Sequence, residues 1–241
     1  MPKQPNADVM FDGPVVHHFD QPGWRGWRPG AKEMAVKPWD ILAAQSLLDQ
    51  IELVTGGGGA NGSSGYVRQI GNDSDEFYCE STPTWWIPGR YYDLRDSWCT
   101  FYLKELEPIT VAPGYNPCMF IAAYMPEGLP RENHRLSCWY MPPTLKVGKG
   151  EWAYNEVKLA NDPSKWVQYG RNNPPEDTLD TTLAHCGFIG WMYMTDADVP
   201  HPYTGVHATG VIGFDEMCFN LKDSDLADLK AGRPLKRALV L

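Results

Sequence analysis

From Tyr66 onward the chain repeats short apolar–polar alternations separated by turn residues. In Ser97-Trp98-Cys99-Thr100-Phe101-Tyr102-Leu103 the residues Cys99, Phe101 and Leu103 fall on one strand face. That spacing of two predicts a half-buried strand with these three side chains in the core. The same reasoning predicts strands at 66–70, 76–80, 97–103, 118–125, 136–140, 155–160, 185–194 and 207–220. Breaks fall at Pro83, Pro88-Gly89, Pro113-Gly114, Pro126-Glu127-Gly128, Gly148-Lys149-Gly150 and Asn172-Asn173-Pro174-Pro175. Short strands at this spacing point to a sandwich or barrel. The absence of βαβ alternation after residue 66 argues against a parallel doubly wound sheet. The predicted fold class is all-β: a two-sheet antiparallel jelly-roll sandwich with an irregular N-terminal arm and one short helix.

The first 55 residues read differently. Val15-Val16-His17-His18-Phe19 suggests one early strand in an otherwise Gly-, Pro- and Trp-rich arm. Residues 39–48 are the helix candidate, with Asp40 as cap and Ile41, Ala44, Leu47, Leu48 and Ile51 at helical spacing. The expected organisation is an arm with a short helix over 1–55 packing on a sandwich domain over 56–241. The run Gly56-Gly57-Gly58-Gly59-Ala60-Asn61-Gly62-Ser63-Ser64-Gly65 reads as a flexible loop. A phosphate cradle would need a helix and usually a Lys after it. The next residues are instead the strand pattern Tyr66-Val67-Arg68-Gln69-Ile70. The tail from Asp223 is of mixed charge and suits a helical turn or two ending near Gly232.

Composition narrows the function classes. A chain of 241 residues with 43% apolar residues can bury a sizeable core. Its 23 Gly and 21 Pro suit many turns. A net charge of −9 without a basic stripe sets nucleic acid aside. No apolar run approaches the ~18 residues that span a bilayer, so no membrane insertion is expected. The first residues lack the apolar stretch of a secretory leader, so the expected location is cytoplasmic if this N-terminus is native and secreted if a leader was removed. The six cysteines show no CxxC or other close metal spacing and read as free core thiols.

Several runs occur in a telling order. The Gly-rich loop leads into Gly65-Tyr66-Val67, then Asp75-Glu76-Phe77-Tyr78-Cys79, then Thr82-Pro83-Thr84-Trp85-Trp86-Ile87-Pro88-Gly89, then Tyr92-Asp93-Leu94-Arg95 before the Trp98–Leu103 strand. Gly150-Glu151-Trp152 to Leu159, Asn161-Asp162-Pro163 to Trp166, and Ala208-Thr209-Gly210-Val211-Ile212-Gly213-Phe214-Asp215-Glu216 extend the pattern. Over about residues 56–221 the chain resembles laminin IV-type domains, carbohydrate-binding modules and related concanavalin-A-like or galactose-binding-like jelly rolls. The resemblance implies a lectin-like sandwich. It also implies a structural calcium near Asp215 and Glu216, which Asp93 or Asp96 and the Asp12/Asp20 region would have to complete, since calcium takes about six to eight oxygens.

The ten Trp and 12 Tyr are the main functional hint, because sugar C–H patches stack on aromatic faces. Trp85, Trp86, Trp139 and Trp191 are the candidate stacking rings, with Arg90, Asp93 and Glu80 to hydrogen-bond hydroxyls. Each ring also has a plain alternative role as core filler. Glu76 and Glu80, at i and i+4 of one predicted strand, would share a face and form a glycosidase-like pair. The Arg90-Tyr91-Tyr92 and Arg95 cluster has lyase-type residues without a motif. His17-His18, His185, His201 and His207 lack metal spacing. Three readings emerge: non-catalytic binding of a polysaccharide or glycan, a glycoside hydrolase or polysaccharide lyase on the same fold, and an assembly domain for a protein partner or a second copy of itself.

Overall fold

Inward-facing apolar rows on two sets of strands close over one another and define the architecture. The computed structural model describes residues 9–11, 13–18, 27–29, 51–76, 78–81, 90–111, 113–124, 136–142, 145–169, 178–194 and 207–240. The strands are β1 (Val9–Phe11), β2 (Val15–His17), β3 (Trp27–Pro29), β4 (Ile51–Thr55), β5 (Gly65–Glu76), β6 (Tyr78–Ser81), β7 (Arg90–Tyr92) and β8 (Ser97–Val111). They continue with β9 (Asn116–Tyr124), β10 (Leu136–Tyr140), β11 (Gly148–Lys149), β12 (Ala153–Leu159), β13 (Val167–Tyr169), β14 (Phe188–Met194), β15 (His207–Leu221) and β16 (Leu239–Val240). Helix α1 is Leu179–Ala184 and α2 is Asp223–Lys230.

The larger sheet runs β4-β5-β15-β8-β12, all antiparallel. Beside β15, β2 takes over where β5 ends, pairing Met217 with His17 through Phe219 with Val15. The smaller sheet orders its described strands β13-β10-β9-β14-β6-β3, each antiparallel to its neighbour. The chain passes repeatedly between the two sheets, from β5 to β6, then β8, then β9 and β10, then β12, then β13 and β14, then β15. That is the jelly-roll habit, and the all-β antiparallel sandwich read from the sequence is the fold observed.

Between the sheets, Val67, Cys99, Phe101, Leu103, Val157, Ile212 and Phe214 of the larger sheet belong to one buried cluster with Met119, Ile121, Trp139, Ile189, Trp191 and Tyr193 of the smaller. The Phe101 and Phe214 rings lie 5.7 Å apart on neighbouring strands. Cys99, Cys118, Cys138, Cys186 and Cys218 are buried free thiols, as the sequence suggested.

Some expectations shift. Ile51 opens β4 opposite Gln69 instead of extending a helical face. The expected helix over 39–48 lies outside the described residues. The helices seen are α1, capped by Thr178, whose side-chain oxygen accepts from the Thr181 amide, and α2. The latter begins where Asp225 accepts from the Lys222 amide and stops before Gly232. Parts of the expected arm are sheet: Val15 and Val16 of β2 are buried against β15 and β16, and β4 pairs with β5.

Phe214→Ala removes a fully buried ring at the centre of the layers. It should cost ~3–5 kcal/mol, seen in urea unfolding as a lower midpoint with an unchanged slope. A cost below ~1 kcal/mol would mean that the layers do not close at this point.

Candidate functional site

The residues singled out in the sequence do not assemble into one site. Trp85 and Trp86 lie outside the described residues. Trp191 is fully buried, and Trp139 is buried with its indole N–H donating to Ser137 Oγ at 3.2 Å. Both rings fill the inter-sheet core, so neither offers a face to a ligand. Asp93 is committed to Arg95 through contacts of 2.6 Å and 2.8 Å. The Arg95 side chain holds the Asp93 carboxyl below the usual carboxylate range. Arg90 is placed by its backbone in β7, paired with β1. The Glu76–Glu80 pair assumed a single strand. In the fold Glu76 ends β5, opposite His207 in the larger sheet, while Glu80 lies in β6, opposite Gly190 in the smaller. The spacing of four therefore no longer puts them on one face.

The face that does gather polar and aromatic side chains is the outer side of the larger sheet. If Cys99, Phe101 and Leu103 point inward, Trp98, Thr100, Tyr102 and Lys104 point outward. Register sets Tyr154, Glu156 and Lys158 of β12 beside Tyr102, Thr100 and Trp98. On the other flank Asp215 lies beside Tyr102 and Cys218 beside Thr100. The Tyr102 and Tyr154 rings are 5.2 Å apart and Tyr66 meets Trp152 edge-on at 5.4 Å. Tyr154, at 38% exposure, is the exposed aromatic among the described residues. Its hydroxyl donates to Glu156 at 3.3 Å. Burial of its ring edge, and then the Glu156 carboxylate, push its phenol up.

Two walls bound this strip along the strands. At the Tyr102 end the Gly-rich loop joining β4 to β5 folds over the sheet. The Asn61 side-chain amide donates to the Tyr102 hydroxyl at 2.7 Å, and the Trp152 indole N–H donates to the Gly58 carbonyl at 3.0 Å. Asp215 is the fully buried pin beneath it, accepting from the Ala60 amide at 2.7 Å and its neighbour Glu216's amide at 2.8 Å. Position 59 must be glycine: a Cβ there would lie 2.6 Å from Asp215 Oδ2 and 2.6 Å from the Gly65 carbonyl oxygen. At the Trp98 end α2 closes the face. The Trp98 indole N–H donates to Asp223 at 2.6 Å, Lys158 lies over the Trp98 ring at 4.9 Å, and Leu226 packs on Val16, Cys218 and Leu221. Trp98 and Tyr102 are four residues apart, so the strip is ~13 Å long along the strand. Across the strands it ends openly at β12, which pairs only with β8 among the described residues.

Asp215 and Glu216 were the expected calcium ligands. The Asp215 carboxyl accepts from the Ala60 and Glu216 amides. Glu216 sits at a bulge of β15 with φ +49° and turns its carboxylate to His18 Nδ1 at 3.1 Å. No group of three or more His, Cys, Asp or Glu side chains able to hold a metal occurs among the described residues. Tyr102, Tyr154, Glu156 and Asn61 went unnoticed in the sequence. The parity that places Cys99, Phe101 and Leu103 inside already assigns Tyr102 to the outside, but only the β8–β12 register brings Tyr154 beside it.

No family model matches the chain, and no curated protein matches it. Among solved structures it is similar to the CBM22-1–GH10 modules of endo-1,4-β-D-xylanase 10B from Clostridium thermocellum, complexed with xylohexaose. There the identity is 13%, the TM-score 0.44, and the match covers 88% of this chain but 29% of that one. It is also similar to a family 11 carbohydrate-binding module from Clostridium thermocellum in complex with a β-1,3-1,4-mixed-linked tetrasaccharide (12% identity, TM-score 0.36, covering 82% of this chain and 96% of that). A third is the cleaved adhesin domain of Lys-gingipain from Porphyromonas gingivalis (12%, 0.34, 87% and 98%).

Burial pushes the Asp215 carboxyl up to about 7, against the downward pull of the Ala60 and Glu216 amides. A folded-state value above the ordinary 3.8 means that the folded chain binds the proton more tightly than the unfolded chain does. The stability this contributes is present below pH 3.8 and lost as pH rises to about 7. Urea unfolding of the wild type and of Asp215→Asn should therefore show the wild type losing stability relative to the variant across that window. A relative gain would mean that the loop is pinned by an ionised carboxylate.

Proposed function

We propose that this protein binds a saccharide on the outer face of its larger sheet, with Tyr154 as the ring on which a sugar stacks. The observation that carries the reading is the exposure of Tyr154 on a sheet face, braced by Tyr102 at 5.2 Å and flanked by hydrogen-bonding groups. A sugar ring offers an apolar C–H face and a rim of hydroxyls. A partly wet tyrosine matches the first, and polar neighbours match the second. Glu156 and the Tyr154 hydroxyl accept from sugar hydroxyls, and Asn61 lies at the adjoining wall. The walls formed by the loop and α2 are built from hydrogen bonds to the same strands that carry the floor. A ligand therefore meets a surface whose shape is set before binding, which lowers the ordering cost of weak contacts.

The test is affinity electrophoresis through gels containing soluble polysaccharides, comparing the wild type with Tyr154→Ala and Tyr102→Ala. Retardation of the wild type should fall about tenfold or more in the Tyr154 variant, equivalent to ~1.4 kcal/mol. Thermal unfolding of that variant should stay close to wild type, because the side chain is exposed. Undiminished retardation after Tyr154→Ala would remove this face from consideration.

A further inference from the structure

Resting on the saccharide reading of the same face, we propose that its ligand is an uncharged glycan chain, and not a uronate- or sulfate-bearing one. The ground is the state of the cations. Recognition of a carboxylate or sulfate calls for a guanidinium or ammonium available to pair with it, with the two-pronged arginine contact strongest. On this face Arg68 is held by Glu52 and Glu107, both at 3.2 Å. Lys158 is held by Asp223 at 3.3 Å, and Lys230 by Glu156 at 2.8 Å. Lys104 lies over the Trp152 ring at 5.8 Å, at the edge of the strip beside the loop.

To pair with any of those three cations an acidic ligand would have to displace a carboxylate, leaving it close to the new anion, and Lys104 offers a single ammonium at the strip's edge, without the two-pronged contact of an arginine. The net charge of −9 adds repulsion at a distance. An uncharged chain meets no such cost. Its hydroxyls can donate to the outward carboxylate of Glu156 without breaking the Lys230 pair, because a carboxylate accepts several hydrogen bonds at once. Direction follows from the walls. The loop and α2 block the strip along the strands, and Thr100, Asp215 and Cys218 towards β15 are buried, so a ligand meets the face from its β12 edge, over Tyr154.

The experiment sets two groups of polymers side by side in affinity gels at low and raised salt: β-glucan, xylan and mannan against polygalacturonate, alginate and a sulfated glycan. Wild type and Tyr154→Ala are run on both. The expected result is retardation by at least one neutral polymer that raised salt leaves intact, none by the acidic polymers, and loss of at least tenfold on Tyr154→Ala. Retardation by acidic polymers alone, weakened by salt and by Tyr154→Ala, would overturn the uncharged-ligand inference while leaving the saccharide site standing. Retardation insensitive to Tyr154→Ala, or absent from every polymer, would overturn the site and the inference together.

Discussion

The rest of the structure depends on the packing of two inward rows, Cys99, Phe101 and Leu103 from β8 and Ile212 and Phe214 from β15, against Trp191 and its neighbours in the smaller sheet. Burial of these side chains commits every alternate residue of β8, β12 and β15 to the opposite face. A slip of one residue would exchange the two sets, turning Tyr102 and Lys104 into the core. The outward set is thus a consequence of the inward one, and the candidate site is the complement of the core.

A face of this kind is usually flat, and here two covalently local features give it relief. The hairpin loop between β4 and β5 is drawn down by a buried carboxyl on β15, and α2 is drawn down at the other end by Trp98, Leu226 and the Lys158–Asp223 pair. Asp215 is an expensive group to bury, and its amide partners and the upward displacement of its pKa are two sides of one compromise. The loop has the backbone freedom to comply because its glycines adopt positive φ at 56, 57, 58 and 62. The bulge at Glu216 falls beside this pin, where a regular strand would have carried the side chain elsewhere.

Much of the fold was legible in the sequence, because period-two alternation and turn residues are local signals. The strands around Tyr66, Trp98, Cys118, Leu136, Asn155, Phe188 and His207 were all placed close to where they occur. Short elements such as β7, β11 and β13 carry too few residues for periodicity to register, and Leu179–Ala184 is helical through a Thr cap more than through pattern. The site was far less legible. Abundant tryptophan drew attention to Trp139 and Trp191, yet a large ring in a strand is as good a core filler as a stacking platform, and only the layer on which it falls decides. Glu76 and Glu80 failed as a pair because the chain changes sheets between them. Tyr102 and Tyr154 are 52 positions apart and meet through register, which no local window contains.

The proposed ligand surface is the outer face of the larger sheet between the Gly-rich loop and α2. Backbone amide NMR during titration with a soluble neutral oligosaccharide tests it most directly. Shift changes should concentrate at residues 58–62, 98–104 and 152–158, with the β9, β10 and β14 amides unmoved. Changes centred on the smaller sheet, with those three segments silent, would contradict it.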